Sequence, residues 1–187
     1  RTNWILTNID KSPKISDAKK TQYKGEAHFL RGLYYFNLVR LFGDVPWIDK
    51  QQTASDDLHV SRTSKDIVYQ HIIDDFSDAA SMLPAVYENT TDIGRATKGA
   101  AFGLLAKVYL TLKRYNETLV AIDSVTNLGV YSLNRKYEWN FSDLRENGPE
   151  SLFEVQYEKD VTAYSEFDIL GQGGWHHEYM APLASIN

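Results

Sequence analysis

The sequence contains no cysteine, which excludes disulfides, thiolate metal sites and a cysteine nucleophile within these 187 residues. It also lacks any apolar run of about 18 residues, the length that a membrane-spanning helix requires. Basic residues are in the minority, with 20 Lys and Arg against 25 Asp and Glu and a net charge of −5. A protein that binds a phosphate backbone needs a basic face, so nucleic acid is not expected as a partner.

Familiar catalytic motifs are missing as well, since the sequence has no Gly-x-Ser-x-Gly, no Walker loop and no His-Glu-x-x-His. Asp74, Asp75 and Asp78 fall on the polar side of an amphipathic helix and are interpreted as a solvated face. The sequence therefore predicts no enzyme activity and no cofactor. A glycosidase stays open as an alternative, because two carboxylates brought together by the fold leave no sequence motif.

What the sequence does contain is helical periodicity, in a composition that is 43% hydrophobic and can form a sizeable core. Apolar spacing predicts helices near 24–42, 65–83, 98–113 and 117–128. On the first helix the predicted buried stripe is Ala27, Leu30, Leu33 or Tyr34, Leu38 and Leu41. Gly43 and Pro46 are expected to end that helix, and Thr63 with Asp66 to cap the second.

The last two predicted helices form a hairpin, with Thr97 as N-cap and Leu105 buried between them. The first helix of this hairpin, predicted at 98–113, resembles helix A of a tetratricopeptide repeat. The second fits helix B less well, because Thr118 and Val125 are β-branched where small residues are typical. Leu119 and Ile122 are predicted to face inward.

Segments 44–62 and 130–187 are interrupted by proline and glycine and are predicted to be loops with short strands. A partial period of two over 152–157 predicts one such strand. The fold class is thus mainly α, with tetratricopeptide-like hairpins, long irregular loops and short strands. A helical part at about 1–130 precedes a loop-rich part at about 131–187.

Aromatic residues make up 13% of the sequence, and those in loops are the candidate ligand contacts. The loop tryptophans are Trp47, Trp139 and Trp175, and from the loop aromatics we select Trp47, together with Trp175 and Tyr179 in the Gly-rich stretch 171–179. The alternative is that these rings pack back onto the core. His176 and His177 are not predicted to bind metal, because adjacent histidines point in different directions and no third ligand is suitably spaced.

Three stretches together carry a family resemblance, and they occur in the family's order. They are EAHFLRGLYYFNLVRLFGDVP at 26–46, GRATKGAA with LLAKVYL over 94–110, and ESLFEVQY at 150–157, preceded by NWIL at 3–6. The chain resembles the SusD/RagB family of surface nutrient-binding lipoproteins from about residue 1 to about residue 157. Arg31, Arg40 and Arg95 lie in these blocks and are interpreted as structural residues.

The resemblance implies a tetratricopeptide-like helical fold in one domain spanning 1–187. It implies a protein that binds oligosaccharide at the cell surface and delivers it to a SusC-like TonB-dependent transporter. Because family members are considerably longer, both termini of the full protein, its lipid anchor in the outer membrane and most ligand contacts are expected outside this sequence. A peptide ligand and a protein-binding tetratricopeptide scaffold remain alternatives.

Overall fold

The computed structural model describes residues 1–53, 55–56, 59–142 and 145–156, and Arg1–Val155 form one compact unit. The described residues form five α-helices, with short 3₁₀ turns between some of them. The helices are α1 (Thr2–Asn8), α2 (Asp17–Phe42), α3 (Lys65–Met82), α4 (Lys98–Thr111) and α5 (Tyr115–Asn127). Among these helices, none is both long enough and apolar enough to cross a membrane.

Helix α2 begins earlier than the sequence predicts, at Asp17 rather than near residue 24. The reason is an N-cap at Ser16, whose side chain accepts a hydrogen bond from the backbone N–H of Lys19 at 3.4 Å. The helix ends as predicted at Gly43, which adopts φ 67° and donates its N–H to the carbonyl of Val39 at 2.9 Å. A left-handed conformation of this kind favours glycine.

The buried face of α2 is only partly the stripe that periodicity predicted: Ala27 is buried and Leu33 packs against the core, but the other leucines do not. Apart from Val39, its buried residues are small or aromatic, namely Gly25, Ala27, Phe29, Gly32 and Phe36. Leu30, Leu38 and Leu41 are exposed, Leu41 to 75%. The small residues allow α3 to approach closely, since a Cβ added at Gly32 would lie 3.1 Å from the Phe76 ring.

Consecutive helices are neighbours in space, so α2 packs on α3, α3 on α4 and α4 on α5. Phe29, Phe36 and Phe76 lie fully buried where α2 meets α3. Phe29 contacts Phe76 edge to face, with ring centres 5.9 Å apart. Phe153, from the segment that follows the helices, packs on Phe29 at 5.0 Å and joins the same core.

The helical hairpin of α4 and α5 is confirmed. Thr97 caps α4 by accepting a hydrogen bond from the Ala100 N–H at 3.1 Å, and Leu105 is only 7% exposed. On α5 the prediction was wrong about the inward face, because Thr118 and Ala121 are the buried residues. Leu119 and Ile122 are exposed.

The predicted strand at 152–157 does not form over 152–156, and residue 157 lies outside the described residues. Phe153 instead packs on the helical core. The described part of the chain contains no strand with which residues 152–156 could pair. Pairing between strands is limited, in the described chain, to one antiparallel bridge between Val45 and Thr63. Thr63 does not cap α3; the Asp44 carboxylate accepts the Lys65 N–H at 2.8 Å.

Candidate functional site

A buried carboxylate on α3 is the centre of the polar contacts between the first three helices. Asp75 is 2% exposed, so the prediction that it faces solvent was wrong, although Asp74 and Asp78 are exposed. Arg31 donates two hydrogen bonds to it, from Nε to Oδ2 at 2.8 Å and from Nη2 to Oδ1 at 2.7 Å. His28 Nδ1 lies 2.7 Å from Oδ1. These partners compensate the cost of burying the charge.

Arg31 connects this carboxylate to the surface. Its third nitrogen, Nη1, donates to Asn3 Oδ1 at 3.0 Å and to the carbonyl of Asp49 at 3.3 Å. Its guanidinium carbon lies 5.2 Å from the centre of the Trp47 ring, within the range of a cation–π contact. One side chain on α2 therefore contacts α1, α3 and the loop that follows α2.

The loop at 46–50 is held by further hydrogen bonds from α1 and α2. Asn3 Nδ2 donates to the carbonyls of Ile48 at 2.7 Å and Lys50 at 3.3 Å. The hydroxyl of Tyr35 accepts the Ile48 N–H at 2.8 Å and donates to the Pro46 carbonyl at 3.3 Å. Burial raises the pKa of Tyr35, which keeps the phenol neutral and able to donate.

These contacts position Trp47, which is half-buried. Its ring stacks on His71 of α3 with centres 4.4 Å apart and an angle of 11° between the planes. Tyr35 lies against it at 4.3 Å and 45°. We call Tyr35, Trp47, His71 and Arg31 the Trp47 platform. The other two predicted contact residues, Trp175 and Tyr179, lie outside the described residues.

A second polar feature is a cleft of about 280 Å³, lined by parts of the segments 85–97, 130–131 and 147–154. Arg95 lies in it and donates to both carboxylate oxygens of Glu26 on α2, each at 2.9 Å. Tyr87 donates its hydroxyl to the carbonyl of Ala96 at 2.8 Å. Burial, and then the nearby Glu26 carboxylate, raises the pKa of Tyr87 well above the usual value for a phenol.

Within the described ranges, no three His, Asp or Glu side chains lie close enough together to hold a metal ion. Asp75 and Glu26 are each engaged with an arginine at hydrogen-bonding distance. Each carboxylate thereby anchors its helix to another part of the chain through a charge-assisted hydrogen bond. This part of the chain therefore combines an aromatic surface at Trp47 with fixed polar groups beside it.

Comparison with known proteins identifies the family. A family model described as starch-binding and associating with the outer membrane, SusD-like_3, matches residues 1–110. The chain belongs to the SusD-like (SusD/RagB) family. The matched region covers α1 to most of α4, and so contains both the Trp47 platform and the Glu26–Arg95 pair.

Individual SusD-like proteins agree with this assignment. A SusD-like protein of Formosa agariphila is 26% identical over 190 residues, covering 96% of this chain and 36% of the relative. The crystal structure of a SusD-like protein from Bacteroides fragilis has a TM-score of 0.78 and 34% identity over 86% of this chain. A laminarin-binding SusD-like protein has a TM-score of 0.73 and 28% identity over 81%. The chain spans about a third of the length of these relatives.

The sequence pointed to only part of this site. Trp47 was selected because a loop tryptophan is poorly explained by packing, yet the structure shows that His71 and Tyr35 pack on it. Sequence reasoning missed Asp75, Asn3 and His71, because their roles depend on contacts between residues far apart in the chain. The local signal for Asp75 is its helical spacing, three residues after Ile72 and four before Ala79, which are both buried core residues.

Proposed function

We propose that the protein containing this chain binds neutral oligosaccharides at the cell surface and performs no chemistry on them. The observation that carries the proposal is the match of residues 1–110 to a starch-binding SusD-like family model. The likeness to a laminarin-binding SusD-like protein over 81% of the chain supports the same ligand class. The arginine-paired carboxylates Asp75 and Glu26 agree with a binding role.

Within the described residues, the proposed sugar contact is Trp47. A sugar ring has an apolar face of C–H groups that packs on the face or edge of an indole. His71 already covers part of the Trp47 ring, so a sugar would contact the part that remains exposed. Because neighbouring side chains hold the ring in place, binding would cost little side-chain entropy. Trp175 and Tyr179 are proposed as further contacts from the sequence alone.

The test of this function is calorimetry of the full-length protein against a panel of laminarin-type and starch-type oligosaccharides and a panel of peptides. We expect saturable binding of at least one saccharide class. Incubation with the bound saccharide should generate no new reducing ends. Binding of peptides without saccharides would contradict the proposal in favour of the peptide alternative, and new reducing ends would indicate a glycosidase.

We further propose that the full-length protein is anchored in the outer membrane and passes its ligand to a SusC-like TonB-dependent transporter. The support is the family description, which places SusD-like proteins in association with the outer membrane. Protease treatment of intact cells should degrade the protein if it is exposed at the surface. Crosslinking in cells should recover it with an outer-membrane transporter, and recovery from a soluble fraction without one would contradict the proposal.

A further inference from the structure

We propose that Asp75 is a positioning residue for glycan binding, which acts through Arg31 to hold Trp47 in its binding orientation. Asp75 belongs to α3 and is buried, with only 2% of its surface exposed to solvent. Its effect on the ligand would therefore be indirect. The inference rests on the proposed function, in which Trp47 contacts the sugar.

The geometry of Arg31 supports this role, because all three of its guanidinium nitrogens are engaged. Two of them bind the two oxygens of Asp75, which fixes the plane of the guanidinium group. The third is thereby directed at Asn3 and at the carbonyl of Asp49 in the loop. Without the carboxylate, the long arginine side chain would regain rotational freedom, and the loop would lose an oriented donor.

The loop that Arg31 reaches carries Trp47 and is fixed at several points. Asn3 receives one hydrogen bond from Arg31 and donates to the carbonyl of Ile48, the residue after Trp47. Arg31 also lies over the Trp47 ring. Asp75, Arg31, Asn3 and the loop thus form a continuous chain of hydrogen bonds from the buried carboxylate to the residues beside the indole. Removing one member should displace the indole even where the helices stay folded.

A second carboxylate–arginine pair, whose carboxylate lies on α2, provides a control. It separates the positioning of Trp47 from general stabilisation of the fold. Glu26 binds Arg95 through two hydrogen bonds of 2.9 Å, much as Asp75 binds Arg31. Among the described residues, Arg95 contacts Glu26, Asp92 and the Tyr23 ring, and none of these contacts reaches the Trp47 loop. Replacing Glu26 therefore breaks a comparable ion pair on the same helix without disturbing the Trp47 platform.

The experiment compares Asp75→Asn with Glu26→Gln in the full-length protein, using laminarin- and starch-type oligosaccharides as probes. Both substitutions should lower the melting temperature. Only Asp75→Asn should shift the indole N–H resonance of Trp47, which is assigned by its absence in a Trp47→Phe variant. We expect the Kd of Asp75→Asn for the bound saccharide to rise about tenfold, as loss of one aromatic contact implies. Equal effects of both substitutions on the Kd would overturn the proposal.

Because Asp75→Asn weakens a buried ion pair, Asn3→Ala serves as a milder second variant at the surface end of the same chain of hydrogen bonds. It should also shift the Trp47 resonance and raise the Kd. The control is Asn37→Ala, which should do neither, because Asn37 lies on α2 and accepts its hydrogen bond from Arg40 rather than Arg31. An unchanged resonance in Asn3→Ala overturns the positioning role. If the Kd rises in Trp47→Ala but not in Asp75→Asn or Asn3→Ala, the positioning role of Asp75 is overturned while Trp47 remains the sugar contact. An unchanged Kd in Trp47→Ala instead refutes the proposed site.

Discussion

At the scale of single residues, the polar groups between the helices owe their state to partners from distant parts of the chain. Tyr87 is one example, since its hydroxyl lies within hydrogen-bonding distance of Ala96 at 2.8 Å and of Glu26 at 3.3 Å. Burial, and then the nearby Glu26 carboxylate, raises its pKa well above the usual value for a phenol, about 10. The phenol is therefore kept neutral in the folded protein over a wider pH range than in the unfolded chain.

We predict that this tyrosine makes stability fall at alkaline pH. Below about pH 10 the phenol is protonated in both states and its contribution is complete. As the pH rises further, the unfolded chain ionises first, so the free energy of unfolding decreases. Tyr87→Phe should cost about 1 kcal/mol at neutral pH, through loss of the hydrogen bond, and should flatten the alkaline decrease. Urea unfolding between pH 8 and pH 11 measures both effects.

The matched control is Tyr115→Phe, because Tyr115 is 60% exposed at the start of α5. Because an exposed hydroxyl makes no buried hydrogen bond, its removal should change the free energy of unfolding little. A Tyr87→Phe variant that lost stability above pH 10 as steeply as the wild type would show that the Tyr87 phenol is not the group responsible.

At the scale of helices, the sequence predicted which elements form better than which faces they bury. Four helices were located within a few residues, apart from the start of α2, because apolar spacing and the Gly43 and Thr97 caps are local signals. The predicted buried stripe of α2 was right at Ala27 but wrong at Leu30, Leu38 and Leu41, because the packing of α3 decides which face of the helix is covered. The cap of α3 comes from Asp44, 21 residues before Lys65, and no local pattern reveals it.

The same dependence on neighbours gives a prediction for Gly99 on α4. A Cβ at this position would overlap the ring of Tyr131, whose hydroxyl lies 2.9 Å from that of Thr97. Gly99→Ala should therefore lower the free energy of unfolding by about 1–3 kcal/mol, although alanine is the better helix former. In the double variant with Tyr131→Ala, the loss of stability should be smaller than the sum of the two single losses, as a double-mutant cycle measures. Strict additivity would contradict the overlap.

Leu105 provides a test of the α4–α5 hairpin. Leu105→Asp would place an unpaired charge at a position that is 7% exposed, and should cost at least the roughly 2–5 kcal/mol of removing a buried leucine. Leu110→Asp on the same helix is the control, because Leu110 is 55% exposed and should change stability little. Thermal unfolding monitored by circular dichroism compares the two. Equal melting temperatures for both variants would argue against the packing of this hairpin.

At the scale of the whole molecule, the described helices form a consecutive stack in which each packs mainly on the next. The family blocks owe their composition to this stack: 26–46 supplies most of α2 and ends directly before Trp47, and 94–110 supplies Arg95 and nearly all of α4. Sequence motifs were sufficient to recognise the family, and the match over residues 1–110 confirms it. They could not predict the Trp47 platform, because its members are drawn from α2, α3 and the loop between them.

The most direct test of the proposed glycan-binding role compares two tryptophan substitutions in the full-length protein. Trp47 and Trp139 are both half-buried and both lie near an arginine, but only Trp47 belongs to the platform. Calorimetry should show that Trp47→Ala weakens saccharide binding per folded molecule by about 1–3 kcal/mol, while Trp139→Ala leaves it unchanged. If Trp47→Ala lowers the melting temperature but binds saccharide with wild-type affinity, Trp47 is a packing residue and the proposed site is wrong.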